Sequence, residues 1–234
     1  LHLYNGETVN KKLAAAGSAA EKAAAEADNA KIVEEVYLAA LSRLPTEARR
    51  LAVSVAVLGD GAEIRHAAAL SDLDDRHLAS LAATSLARTD LLHVSTQDVE
   101  FVHPVVRAAV YESIEPAQRL AMHRRAAELL DQAGEEPERV AAHLDIVPPA
   151  RDPFVVDTLR TAGDRAIVRG APEAAARYLR RALAEPPDEE YRVDTLLELG
   201  LAEQRVDIAA AAEHLAEALE SIEEPLRRAR VALE

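Results

Sequence analysis

The sequence predicts a mainly α-helical protein, in which a small domain bearing a β-hairpin leads into an array of paired helices. Three observations carry that reading. Ala, Leu, Glu and Arg dominate and aromatics make up only 3% of the 234 residues, a composition suited to packed helices rather than to sheets. Across residues 99–111 an alternation of apolar and polar residues gives way, at Pro104, to helical periodicity. Residues 174–183 (AAARYLRRAL) match residues 210–219 (AAAEHLAEAL) at an offset of 36.

The composition also excludes several classes of function. There is no Cys, so disulfides and thiolate metal sites are ruled out, in keeping with a reducing, cytoplasmic setting. No apolar run approaches a membrane span, so no membrane partner is expected. A net charge of −14 argues against nonspecific binding of nucleic acid or anionic membranes by the whole surface.

In chain order, a first segment (1–30) stands apart. All four lysines lie within the first 31 residues, and every arginine is at Arg43 or beyond. Residues 11–29 form an Ala/Glu/Lys tract that could be helical but could not anchor a core. Leu1 to Tyr4, followed by Asn5-Gly6, reads as a strand and a turn.

A second segment (31–114) is globular in pattern. Ile32, Val33, Val36, Tyr37, Ala40 and Leu41 recur at helical spacing until Pro45. Thr46 is placed to cap the next helix, through Leu51, Val55 and Leu58 to Gly59, although Val53 to Val57 also alternates like a strand. A short helix over about 63–70 follows, then one starting at Asp74-Asp75 with Leu78, Leu81, Ala82 and Leu86 as its expected buried stripe. Residues 91–94 and 99–102 flank Ser95-Thr96-Gln97-Asp98 as a hairpin. Helices, a two-stranded wing and a following helix describe a winged-helix domain.

The third segment (115–234) is helix after helix. Pro116, Pro137, Pro153, Pro172, Asp188, Asp207 and Pro225 open helices; Gly134, Pro148-Pro149, Gly170 and Pro186-Pro187 close them. The 36-residue offset is near the period of about 34 of tetratricopeptide repeats. Taking Gly163 as that motif's glycine puts Ala175, Leu179, Ala182 and Pro187 at its small, large, small and proline positions, with Gly200 of the second copy one residue out of register. The fold class is therefore mainly α: a winged-helix domain with a small β-hairpin, followed by a tetratricopeptide-like helical repeat array.

Candidate chemistry is sparse. A P-loop needs a lysine after its glycine loop, and none follows Lys31; no catalytic residue, metal site or cofactor is expected within the chain. His123 and His143 lack carboxylate partners at ligand spacing and read as ordinary helix residues. The Asp72, Asp74 and Asp75 cluster at the start of the would-be recognition helix, with only Arg76, His77 and Arg88 to offset it, disfavours DNA reading by this domain. His103 sits where the strand meets the helix, and Arg107 lies one turn further on the same face. Exposed helix N-termini attract anions, and an imidazole there can donate to a phosphate oxygen. On local chemistry alone, the favoured reading is that His103 merely ends the strand and bonds a neighbouring carbonyl.

From about Leu41 to Ala202 the chain resembles the middle of the large ATP-binding LuxR-type (LAL) transcriptional regulators, within the STAND class of NTPases. The residues that carry this are LSRLP (41–45), VAVLG (55–59), FVHPVVRAAVY (101–111), HRRAAELL (123–130), RVAAHL (139–144) and GAPEAA (170–175). The resemblance implies an NTPase domain before the winged helix and a DNA-binding helix-turn-helix after the repeats, both outside this chain. It also implies a Met-His-Asp-like motif at the end of the winged helix, whose histidine contacts the β-phosphate of ADP. Val102-His103-Pro104 stands in that place, with Val102 for Met and Pro104 for the acid.

What this implies is a non-enzymatic regulatory segment of an ATPase parent, with His103 and Arg107 sensing ATP or ADP held by the parent. An inducer or partner protein would bind the helical repeats, and a homo-oligomer is left open. Two other readings compete: a stand-alone interaction scaffold, and a DNA-binding winged helix with a helical dimerisation arm.

Overall fold

A computed structural model describes residues 39, 41–73, 75–185 and 189–222. The expected N-terminal tract (1–30), most of the helix expected at 32–41, the Asp188 helix start and the helix expected at Pro225 lie outside the described residues. Among those residues the chain is mainly helical, with ten helices and one small antiparallel sheet. None of these helices is long and apolar enough to cross a membrane. The chain divides into two compact units, residues 1–129 and 130–234.

The first unit is built around α1 (Thr46–Leu58). Ala48, Leu51, Ala52, Val55 and Ala56 are almost fully buried, and so are Val57 and Leu58. A helix covered on several faces is apolar nearly all round, which accounts for the strand-like run at 53–57. Thr46 does not cap this helix: Pro45 is the N-cap residue, and the Thr46 hydroxyl instead accepts from Arg49 at 3.2 Å.

Next come β1 (Ala62–Glu63), α2 (Ile64–Leu70), α3 (Arg76–Ala87), β2 (Leu92–Val94) and β3 (Asp98–Phe101). The hairpin forms as its pattern predicts, with Leu92 opposite Phe101 and Val94 opposite Val99. Val99 and Phe101 turn inward, while Asp98 and Glu100 face out. A third strand was not legible: β1 is two residues long, too short for alternation, and pairs with β3 to give the order β1-β3-β2.

The stripe expected on α3 is corrected. Ala82 and Leu86 are buried as expected, but Leu78 and Leu81 are 43% and 53% exposed, and Ala79 and Ala83 take their place on the inner face. Small residues on the inner face let α3 lie close against α1, which rotates the two leucines to the surface. Asp75 caps α3, its side chain accepting from the His77 N–H at 2.8 Å.

Two helices continue from the sheet: α4 (Pro104–Glu112), packed on α1, and α5 (Pro116–Gln132), whose residues up to Leu129 belong to the first unit. Asp72, in the turn after α2 with φ of 53°, ties this unit together. Its carboxylate accepts from Arg50 of α1 at 3.2 Å and from Arg125 of α5.

The second unit holds α6 (Pro137–Leu144), α7 (Pro153–Val168), α8 (Pro172–Ala184), α9 (Glu189–Glu203) and α10 (Ile208–Ser221), each packed chiefly on its neighbours in sequence. Proline at the first turn and glycine past the last frame α7, with Gly170 at φ 77°. Small residues bring the pairs together: a Cβ on Gly163 would lie 3.0 Å from Leu179 Cγ, and one on Gly200 would lie 2.5 Å from Leu215 Cγ. Gly200, one residue out of register in sequence, thus meets the leucine equivalent to Leu179.

A carboxylate with no sequence signal secures the start of α7. Glu185, 1% exposed, accepts from the backbone N–H groups of Ala150 and Arg151, both at 2.7 Å, and from Arg181 at 3.0 Å. Glu203, fully buried at the end of α9, accepts from Arg180 Nε at 2.9 Å and pairs with His214 Nδ1 at 2.6 Å.

Candidate functional site

The strand-to-helix junction forms as the sequence predicts. The Val102 N–H donates to Leu91 O at 3.1 Å, closing the hairpin, and His103 follows with extended backbone angles as the N-cap residue of α4. Pro104 takes the first helical position, where its missing N–H costs nothing. The His103 carbonyl accepts the first helical bonds, from Val106 at 3.0 Å and Arg107 at 3.2 Å. His103 is exposed, and so are its neighbours Val102 and Val105, at 42% and 48%.

Arg107 points elsewhere. Its Nε donates to the Ala56 carbonyl at 3.3 Å, and its guanidinium lies against Gly59, where a Cβ would come within 3.1 Å of Nη2. A cation at the C-terminal end of α1 offsets the partial negative charge of the helix terminus. Gly59 has φ of 83°, which glycine adopts without strain, so the turn and the arginine share one small space. The pair singled out from the sequence therefore divides its work: His103 meets solvent, while Arg107 fastens α4 to α1.

One further turn along the same face stands Tyr111, which sequence reasoning passed over. Its hydroxyl lies 2.8 Å from His123 Nε2, and the rings meet edge to face with centroids 5.7 Å apart. Arg119 sits over the Tyr111 ring at 4.7 Å and pairs with Glu112 at 3.0 Å. His123 is 2% exposed, and burial, followed by the charges of Arg119 and Arg107, pushes its pKa down to about 4. The imidazole is neutral at pH 7, which leaves one ring nitrogen able to accept, and the Tyr111 hydroxyl lies within hydrogen-bond distance of Nε2. The spacing 103, 107, 111 was a signal for this stripe; the partner on α5 was not.

Chemically, this junction offers an exposed imidazole at a helix N-terminus, backed by a hydrogen-bonded stripe of Arg107 and Tyr111. The exposed imidazole beside a helix N-terminus suits contact with an anion. His143 is buried at 5% exposure on α6 of the second unit. Comparison with protein-family models, with curated proteins and with solved structures finds no match to this chain.

Proposed function

We propose that this chain is the regulatory middle of an ATP-dependent LuxR-type transcriptional regulator of the STAND class, made of a winged helix and tetratricopeptide-like hairpins. Nucleotide held by an NTPase domain of the parent would be sensed at the junction, and an inducer or partner protein would act on the helical pairs. The observation that carries the reading is His103, exposed at the N-cap of α4 directly after the last strand. Two features support it. The order helix, strand, helix, helix, strand, strand with sheet order β1-β3-β2 is what a winged helix requires. The glycine–leucine approaches of α7 with α8 and α9 with α10 suit repeat hairpins.

DNA reading by α3 is disfavoured. Its exposed surface includes Leu78 and Leu81 at 43% and 53%, and phosphate binding needs several cations on one face. The stand-alone scaffold is the second reading, favoured by Val168 and Ile208, which are 87% and 78% exposed in the second unit.

The test is calorimetry with ADP on the parent polypeptide carrying its NTPase domain, comparing wild type with His103→Ala. Loss of one hydrogen bond to a charged phosphate, worth about 1.5–3 kcal/mol, should weaken ADP by roughly tenfold or more. Unchanged affinity together with an unchanged conformational equilibrium would remove the sensing role. A parent reading frame without a P-loop would favour the scaffold.

A further inference from the structure

The first unit holds a cavity of about 480 Å³, within the range of roughly 300–1,000 Å³ that small-ligand sites occupy. It lies among α1, the turn after α2 and α5. Among the described residues, three arginines, Arg49, Arg50 and Arg125, line it, with Asp72 as the single carboxylate. Three guanidinium groups against one carboxylate leave a surplus of positive charge in a chain whose net charge is −14. Val53 and Met122 add an apolar wall. The hydroxyls of Ser54 and Ser71, also in the lining, bond each other at 2.9 Å and so are satisfied within the protein. What the cavity presents to a visitor is cationic and apolar.

We infer that this cavity binds a small organic anion, a carboxylate, sulfonate or phosphate monoester on an apolar body, and that Asp72 acts as its built-in competitor. This site is separate from the nucleotide contact at His103 and stands whether or not that reading holds. Asp72 accepts from Arg50 at 3.2 Å and from Arg125, holding both guanidinium groups at the cavity. Arg49, from the same helix, donates to the Thr46 hydroxyl at 3.2 Å, a neutral partner that an incoming anion readily outbids. An anionic head takes the place of the Asp72 carboxylate or sits beside it, while the apolar body lies on Val53 and Met122. Hydrogen bonding from Arg125 keeps the Asp72 carboxyl below its ordinary pKa, so the competitor is charged at neutral pH.

Competition makes two opposite predictions for substitutions in one cavity. Arg49→Gln removes a cation and weakens anion binding; Asp72→Asn removes the competitor and tightens it. Asparagine tolerates the positive φ of 53° at that position, so the turn is kept. For half-exposed charges each effect is about two- to fivefold.

The experiment titrates the full chain with 8-anilinonaphthalene-1-sulfonate, an anion on an aromatic body, and with N-phenyl-1-naphthylamine, its neutral counterpart. Fluorescence should report one saturable site for the sulfonate, weakened by salt, and much weaker binding of the neutral dye. Circular dichroism establishes that each variant is folded. Because Arg49 holds no ion pair to a carboxylate in this cavity, Arg49→Gln keeps the test decisive should Asp72→Asn fail to fold. Absence of sulfonate binding, equal binding of the neutral dye, or a folded variant that fails to shift affinity in its stated direction overturns the assignment.

Discussion

Replacing Gly200 by alanine sets helix propensity against packing, and the geometry decides which wins. Alanine in a helix interior is favoured over glycine by about 1 kcal/mol. Against this, the new Cβ would meet Leu215 Cγ at 2.5 Å and Cδ2 at 2.7 Å, with Ala211 O at 3.4 Å. Leu215 Cγ is one bond from its own Cβ, so relief requires α10 to move or the leucine to leave its rotamer. Overpacking costs typically 1–3 kcal/mol, and a contact at 2.5 Å belongs in the upper part of that range, about 2–3 kcal/mol, which leaves Gly200→Ala about 1–2 kcal/mol less stable than wild type. At Gly163 the corresponding distances are 3.0, 3.2 and 3.4 Å, and a shift of a few tenths of an ångström suffices, so propensity and crowding nearly cancel. Urea unfolding followed by circular dichroism measures both variants, and the difference between them is the sharper quantity. In the Leu215→Ala background Gly200→Ala should become neutral or stabilising, because the obstructing atoms are gone. Wild-type or greater stability for Gly200→Ala alone would refute the argument.

Three further outcomes are expected. His123, with a folded pKa of about 4 against 6.5 unfolded, is protonated more readily in the unfolded chain. Stability therefore falls as pH drops through 6.5 and levels off near 4, by about 3 kcal/mol, and urea titrations of His123→Gln should lack that component. Glu185→Ala strips the Arg181 guanidinium and three backbone N–H groups, those of Ala150, Arg151 and Asp152, of a buried acceptor and should cost about 3 kcal/mol in chemical denaturation, with Glu185→Gln losing less. Asp75→Ala removes the cap of α3 and should lower stability by about 1 kcal/mol, read from the thermal midpoint.

The features legible in sequence are those fixed by near neighbours along the chain. Pro104, Pro153 and Pro172 mark helix starts because a proline's geometry is local, and the Val99/Phe101 alternation needs only a pleat. Other features depend on distant partners. Arg107 looks like an anion ligand until Ala56, 51 residues earlier, is seen to accept its Nε–H. Leu78 and Leu81 look buried because leucine on a helix usually is; the alanines beside them win the inner face by letting α3 approach α1. Asp72 looks like the acidic start of a recognition helix, whereas its turn aims it at Arg50 and Arg125. Tyr111 and His123 are twelve residues apart on different helices, and neither local pattern marks the other.

These distant partners also determine what His103 could transmit. The helix it begins is held at three places: to the sheet through β3, to the end of α1 through Arg107, and to α5 through Tyr111 and His123. A ligand drawing His103 toward itself cannot tilt α4 freely, because tilt must lengthen the Arg107–Ala56 bond or the Tyr111–His123 bond. Deformation stored in those bonds would be passed to α1, which is the centre of the first unit, and to α5. For such a contact to switch anything, the stripe must have two arrangements of similar free energy, and the contact must favour one of them. Breaking one tie at a time separates these possibilities. If Tyr111→Phe changes the response to nucleotide in the parent while leaving His103 in place, the stripe carries the coupling; if only His103 matters, the contact is a clamp and nothing more.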